Sequence, residues 1–516
     1  MTGDGTRQPS LGELSTIQAE NHPGGLAFAD DTGTALTWRE FEARSTDLAA
    51  SFADRLCHRD RVAFLCDTGV DTVTAWNGAV KAGAITSFVH TQSSPETVRY
   101  TIDHFDPSIL VVSETYAAFV DERVVDGLTA EPEIVVLGDA AREHGRSVDD
   151  FVAATDDVRP DTYLDEDDIG AVIWTSGTTG DPKGWCHTYR NLRMKARDPS
   201  VITNRSKTRM SQTMPSLGGW YKCVVATLLA GSSLVLLTDW GPERWLAAVE
   251  RHGVTHASMV PTMWREVLNT DVDAYDVDTL ETVLCLGEKV EPETLRRIRS
   301  TVCESVVNAY ASTEVDVSML ENEEFTEDRL GSVGKPSGGT RVRVVEEGGA
   351  PDATVPVGDV GEVIVHAPDR PVWAWQRSEV LDEEFTDGWW YSGDLGYKDE
   401  DGYLYLEGRK DFMIKSKGVK VFPSPIEGVL NDHPGVEEAA VVGLDDDEYG
   451  QKVTAVVRRS DPTVTAADLD EACLESDEIA RFERPREYRF VDFEIPKTPS
   501  QKLDRQGTAE RLDHSD

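Results

Sequence analysis

Between residues 26 and 114 the chain alternates short apolar runs, such as 62–65 and 109–112, with amphipathic stretches such as 38–56. Short uninterrupted apolar runs read as buried strands and amphipathic stretches as helices covering them, which predicts an α/β arrangement. A further apolar run spans 169–174, and the rhythm returns with strands expected at 233–237 and 282–286 and a helix at 242–252. From 331 to 405 the runs become short and β-like, 341–345 and 362–365 among them. Gly and Pro separate them, the pattern of a small β subdomain. A charged stretch, 407–411, then leads into a tail with strands expected at 436–444 and 452–458 and a helix at 466–473. The tail is of common domain size. The expected division is a large N-terminal unit, 1–408, and a small α+β C-terminal unit, 409–516, with the linker near Arg409.

At 516 residues the chain exceeds what one core normally serves, which agrees with that division. Its 94 acidic against 51 basic residues leave a formal charge of -43. Such a surface repels nucleic acid and anionic membranes. The acids are scattered through periodic apolar sequence rather than replacing it, so they indicate a solvated acidic shell and not disorder. That shell motivates the expectation of a halophilic cytoplasm, where salt screens self-repulsion. The 7 cysteines include no CxxC pair, as expected of reduced, mostly buried thiols in a cytoplasmic protein. The N-terminus is polar, and no apolar run approaches the ~18 residues of a membrane span.

Residues 175–184 read TSGTTGDPKG. The hydroxyls of Thr175, Ser176, Thr178 and Thr179 supply donors, Gly177 and Gly180 let backbone N–H groups approach phosphate oxygens, and Lys183 adds a mobile charge. The preceding apolar run would hold this loop at the end of a strand. Composition alone fits a flexible surface loop equally well. It is not a Walker loop, because Lys183 follows Pro182 and precedes Gly184.

Four other segments accompany it: NAYASTE (308–314), YSGDLG (391–396), EGRKDFMIKSKG (407–418) and PKTPSQK (496–502). Together the five resemble, in order and spacing, the adenylate-forming superfamily of acyl-CoA synthetases, luciferases and peptide-synthetase adenylation domains, with similarity from about residue 26 to 505. The resemblance implies a large N-terminal domain of α/β layers with a β subdomain, and a small mobile C-terminal lid. It implies a carboxylate attacking the α-phosphate of ATP, two anions whose meeting requires neutralising charge. By the same resemblance Lys502 bridges the acyl carboxylate and the α-phosphate, Glu314 binds Mg²⁺, Thr313 binds phosphate, and Lys183 with residues 175–180 grips the β/γ-phosphates. Tyr310 stacks on adenine, Asn308 meets the base edge, and Gly287 and Glu288 form the second adenine wall. Asp394 holds the ribose hydroxyls, Arg409 approaches ribose and phosphates, and Asp411 is the hinge of the lid. Gly418 lines the pantetheine tunnel, with Lys417 and Lys420 placed for CoA or AMP phosphates. Two positions depart from the family: Gln501 replaces a usual Gly, and Phe412 an acid common after the hinge.

The acyl pocket is less legible. Residues 214–220 read MPSLGGW, where Gly218 replaces a His usual in many relatives and the GW ending resembles the acetate and medium-chain branches. Ala311 stands where acetate-specific members carry Trp. A small side chain there leaves room for methylenes or a ring, each buried CH₂ contributing ~0.8 kcal/mol. The acid is therefore expected to be larger than acetate: medium-chain, branched or aromatic. His252 and His256 are four apart but lack the Glu and third ligand of a metal helix, and read as core or surface histidines. The expected function is an ATP- and Mg²⁺-dependent acyl-CoA synthetase, a monomer or homodimer, releasing AMP and pyrophosphate. The alternatives are an enzyme loading a separate carrier protein and a non-catalytic nucleotide-binding relative. Gly418 and the GW segment favour free CoA, and joint retention of Lys183, Glu314, Asp394, Arg409 and Lys502 argues against the non-catalytic relative.

Overall fold

The computed structural model describes residues 8–138, 145–154, 164–175, 182–196, 207–211, 216–320, 324–337, 339–446, 448–476, 479–498 and 503–513. Every element expected from the pattern forms, with ends displaced by one or two residues. The helix Trp38–Arg55 shows why its start was readable. The Thr37 hydroxyl accepts from the Glu40 N–H while the Glu40 carboxylate accepts from the Thr37 N–H, a reciprocal cap of two otherwise unpaired donors. Helix Pro242–His252 begins with proline and ends at Gly253 in the left-handed conformation, φ 57°.

The described residues form four sheets. An eight-stranded sheet centres on Arg61–Leu65, Ile85–Phe88, Ile109–Ser113 and Ile169–Thr175, and a nine-stranded sheet on Ser233–Leu236, Thr208–Ser211, His256–Met259, Thr282–Leu286 and Val306–Ala311. Most of their central pairings are parallel, so each strand is buried on both faces and reads as a continuous apolar run. One core joins both sheets through helices between them, with Phe64, Leu234, Trp38, Trp76 and Trp220 all fully buried in it. The five-stranded antiparallel sheet of Arg341–Val345, Gly361–His366 and Trp389–Lys398 is the expected β subdomain.

The fourth sheet begins at Ile414–Ser416 and includes Val436–Asp446 and Gly450–Arg459, with helices Pro423–Asn431 and Ala466–Glu475 beside it. Its first hairpin turns through Lys417 and Gly418, both at positive φ, 49° and 81°. Two positive φ values in a two-residue loop match the twist of the flanking strands, and glycine takes the second without strain. The architecture is therefore a large N-terminal domain of α/β layers with a β subdomain, followed by a small α+β domain. Six of the seven cysteines are buried and Cys57 is exposed; all are free thiols. No described helix is long and apolar enough to cross a membrane.

Candidate active site

A cavity of about 1920 Å³ opens where the sheets converge. Thr175 and Lys183 reach it from facing strands of the eight-stranded sheet, Tyr310 from the nine-stranded sheet, Asp394 from the β subdomain and Arg505 from the C-terminal region. Strand ends in such sheets are where side chains from separate segments meet, because the loops leaving them diverge and open a crevice.

The Tyr310 hydroxyl donates to the Asp394 carboxylate, and burial with that carboxylate raises the phenol's pKa well above its usual value. Asp394 stands opposite Arg409 in the antiparallel ladder, and Arg409 lies 3.6 Å from Asp411. Burial opposes the Arg409 cation, but Asp394 and Asp411 outweigh it and hold the guanidinium more firmly charged than usual. Gly393 makes this approach possible: at φ 72°, its Cβ would lie 3.1 Å from an Arg409 nitrogen.

Glu314 is 9% exposed, and burial, then the nearby Glu384 charge, raise its carboxyl pKa. Glu384 pairs with Lys183 at 2.8 Å and accepts a long hydrogen bond from the Trp390 indole. Two carboxylates thus share a site that one lysine partly neutralises. Beneath them Lys195 donates to the Glu314 carbonyl and pairs with Asp369 at 3.0 Å, both partners almost wholly buried. This pair fixes the backbone that presents Glu314.

The chain matches the AMP-binding enzyme family over residues 16–369 and the AMP-binding enzyme C-terminal domain over 425–502. It belongs to the adenylate-forming acyl-CoA synthetase family. A 3-hydroxybenzoate–CoA ligase of Aromatoleum sp. is 30% identical over 485 residues, 91% of this chain and 90% of the relative. A sulfoacetate–CoA ligase of Cupriavidus necator is 30% identical over 512 residues, 96% of each. Among solved structures, an anthranilate CoA ligase in complex with anthranoyl-AMP superposes with a TM-score of 0.87 at 23% identity, covering 98% of both chains. The o-succinylbenzoate CoA synthetase of Bacillus subtilis with its acyl-adenylate gives 0.83 at 23% identity, covering 97% of both. With named CoA ligases at this identity over most of its length, the chain is an acid–thiol ligase that makes an acyl-CoA through an acyl-adenylate.

Of the residues singled out in the ligase sequence, Thr175, Lys183, Gly287, Glu288, Tyr310, Thr313, Glu314, Asp394 and Arg409 all line this one cavity. Ser176, Gly177, Thr178, Thr179, Gly180, Gln501 and Lys502 lie outside the described residues. Thr498 and Leu503, on either side of Lys502 in sequence, both line the cavity. Asn308 does not. Its side chain is 2% exposed, and its amide is occupied in a buried hydrogen bond, donating to the Ser332 carbonyl at 2.8 Å. Gly418 and Lys420 are also away from the cavity; Lys420 pairs with Glu347 at 2.8 Å and Lys417 with Glu448. Trp220 packs edge-on against Trp76 and Phe88 in the core, so the GW pair contributes only its glycine to the cavity. His252 ends a helix and His256 begins a strand, and no group of three metal-ligating side chains occurs among the described residues.

Sequence reading missed Glu384, Lys195 with Asp369, and Lys222 with Asp316. Glu384 sits in a run of acids with nothing to distinguish it, and the others join segments far apart in the chain.

Proposed function

We propose that the cavity joins a carboxylic acid larger than acetate to CoA in two half-reactions with ATP. In the first, a carboxylate oxygen attacks the α-phosphorus and the bond to pyrophosphate breaks. In the second, the CoA sulfur attacks the acyl carbon and AMP leaves. The observation that supports this best is the meeting in one cavity of Tyr310, Glu314, Asp394, Arg409 and Lys183 with Thr498 and Leu503 of the tail.

In this reading Tyr310 offers its flat face to adenine opposite Gly287 and Glu288, and Asp394, already accepting from Tyr310, takes the ribose hydroxyls. Arg409, Thr313, Lys183 and the hydroxyl-rich loop take phosphate oxygens. Lys183 exchanges Glu384 for phosphate as ATP enters. Lys502 bridges carboxylate and α-phosphate in the first half-reaction only. Glu314 fits Mg²⁺: its raised carboxyl pKa and its Glu384 neighbour mark a place short of positive charge. A hard cation held by one carboxylate and phosphate oxygens would neutralise charge there.

The proposed boundary lies at 408/409, with Asp411 as hinge. A tight 3-10 turn, Lys410–Phe412, separates the last strand of the β subdomain from the first strand of the C-terminal sheet, so few torsions need change for rotation. Rotation would carry the Lys417–Gly418 turn and Lys420 toward the cavity for CoA, breaking exposed pairs that contribute little. The charge of -43 supports a halophilic cytoplasm. The aromatic acids in relatives' names favour a ring-bearing substrate, for which Ala311 leaves space. A panel of straight-chain, branched and aromatic acids, assayed for AMP release with CoA in high salt, tests the reading. Acid-dependent AMP release from at least one large acid is expected, and equal turnover of acetate and hexanoate would refute the size assignment.

A further inference from the structure

The acyl side of the cavity contains an ion pair. Helix Gly218–Ala230 lies with Gly218 against Thr313, where a Cβ would sit 3.6 Å from the Thr313 Cα. One turn further, on the same helix face, Lys222 Nζ lies 3.1 Å from Asp316 Oδ2. Their side chains are 16% and 19% exposed, and both residues line the cavity. Asp316 pairs directly with Ala311 across the antiparallel ladder, so the small residue that makes room for the acid stands beside this carboxylate. The backbone there is held: the Asp316 N–H donates to Asp369, which Lys195 also pairs. Two residues along the strand, Ser318 is 1% exposed and lines the cavity, and its hydroxyl has no hydrogen-bond partner among the described residues.

A pair with no net charge does not call for a second anion on the substrate. An unsubstituted chain or ring packed here would strip water from Lys222, Asp316 and Ser318 without replacing its hydrogen bonds. A hydroxyl both donates to the Asp316 carboxylate and accepts from the Lys222 ammonium. We propose that the Lys222–Asp316 pair recognises a hydroxyl group on the acid, making the substrate class hydroxylated carboxylic acids whose carbon frame fits beside Ala311. This rests on the acyl-CoA ligase reading.

Matched pairs of acids test it on the unaltered protein: benzoate with 3-hydroxybenzoate, hexanoate with 6-hydroxyhexanoate, and adipate as the dicarboxylate, each with ATP and CoA. The hydroxylated member of at least one pair is expected to exceed its partner by ~10²-fold in kcat/KM, because a site built around a hydroxyl rejects the analogue lacking it. The double variant Lys222→Met/Asp316→Leu should bring that ratio near one while leaving the KM for ATP unchanged, a pattern that general structural damage does not produce. Equal kcat/KM within every pair, preference for adipate, or an unchanged ratio in a folded double variant would each overturn the proposal. Where the double variant does not fold, the matched acids on the unaltered protein decide. Turnover of unsubstituted acids alone leaves the ligase reading intact and removes this one, whereas no AMP release with any acid overturns both.

Discussion

In one part of the cavity lining the Glu314 carboxyl is pushed toward protonation by burial and by the nearby Glu384 charge; two residues further along the chain, Asp316 is compensated by Lys222 at 3.1 Å. The first arrangement is short of positive charge until a ligand supplies it. The second holds opposite charges against each other at ion-pair distance. The difference teaches what each group can accept: charged groups where charge is unbalanced, a neutral polar group where opposite charges face each other. Changes at the residues proposed for the nucleotide should therefore slow every acid alike, and changes at the Lys222–Asp316 pair should redistribute rates among acids.

The largest expected effect is at Lys502. Lys502→Ala should cut acyl-AMP formation by ~10³-fold for all acids while leaving thioester formation from supplied acyl-AMP intact; loss of both half-reactions contradicts its assignment to the first alone. Glu314→Gln should lower AMP release by ~10²-fold, again for all acids. The same variant should melt higher than its parent at pH 7. Burial raises the Glu314 pKa in the folded protein, so its ionisation there costs stability that builds up as pH rises through the ordinary carboxylate value toward the folded one. The gain should shrink on acidification and vanish below about pH 4; a gain independent of pH would remove the buried-charge explanation. Glu384→Gln releases Lys183 from its 2.8 Å partner and should lower the KM for ATP by roughly threefold, the scale of a part-exposed ion pair, with acid preference unchanged. A shift in acid preference would show that the two groups are coupled. The smallest effect concerns the whole surface: thermal midpoints should rise by several degrees between low salt and molar KCl, and identical midpoints would end the halophilic reading.

That Tyr310, Thr313 and Glu314 share one cavity was legible because they occur in one short segment, within the seven positions of NAYASTE. Asn308 belongs to the same segment but does not line the cavity, because its amide is taken up by the buried Ser332 carbonyl, a partner 24 residues away that no local pattern announces. Gly418 and Lys420 were read for a role at CoA, and this arrangement places them away from the cavity, facing acids that hold the lysines at the surface.

Periodicity was enough to define the elements, because whether a run is buried on one face or two is written in neighbouring residues. The α/β layers, the β subdomain and the compact tail all follow from it. Which side chains meet is a different matter. Lys183 and Glu384 are 201 residues apart in the chain and Lys222 and Asp316 are 94 apart, and no local pattern links either pair. Packing of helix Gly218–Ala230 against the 313–316 segment puts Lys222 beside Asp316, and packing of the β subdomain against the eight-stranded sheet puts Glu384 beside Lys183. Motifs could assign the cavity its ATP. Only the convergence of distant strands and a helix could place the Lys222–Asp316 pair next to Ala311, and with it the chemistry proposed for the acid.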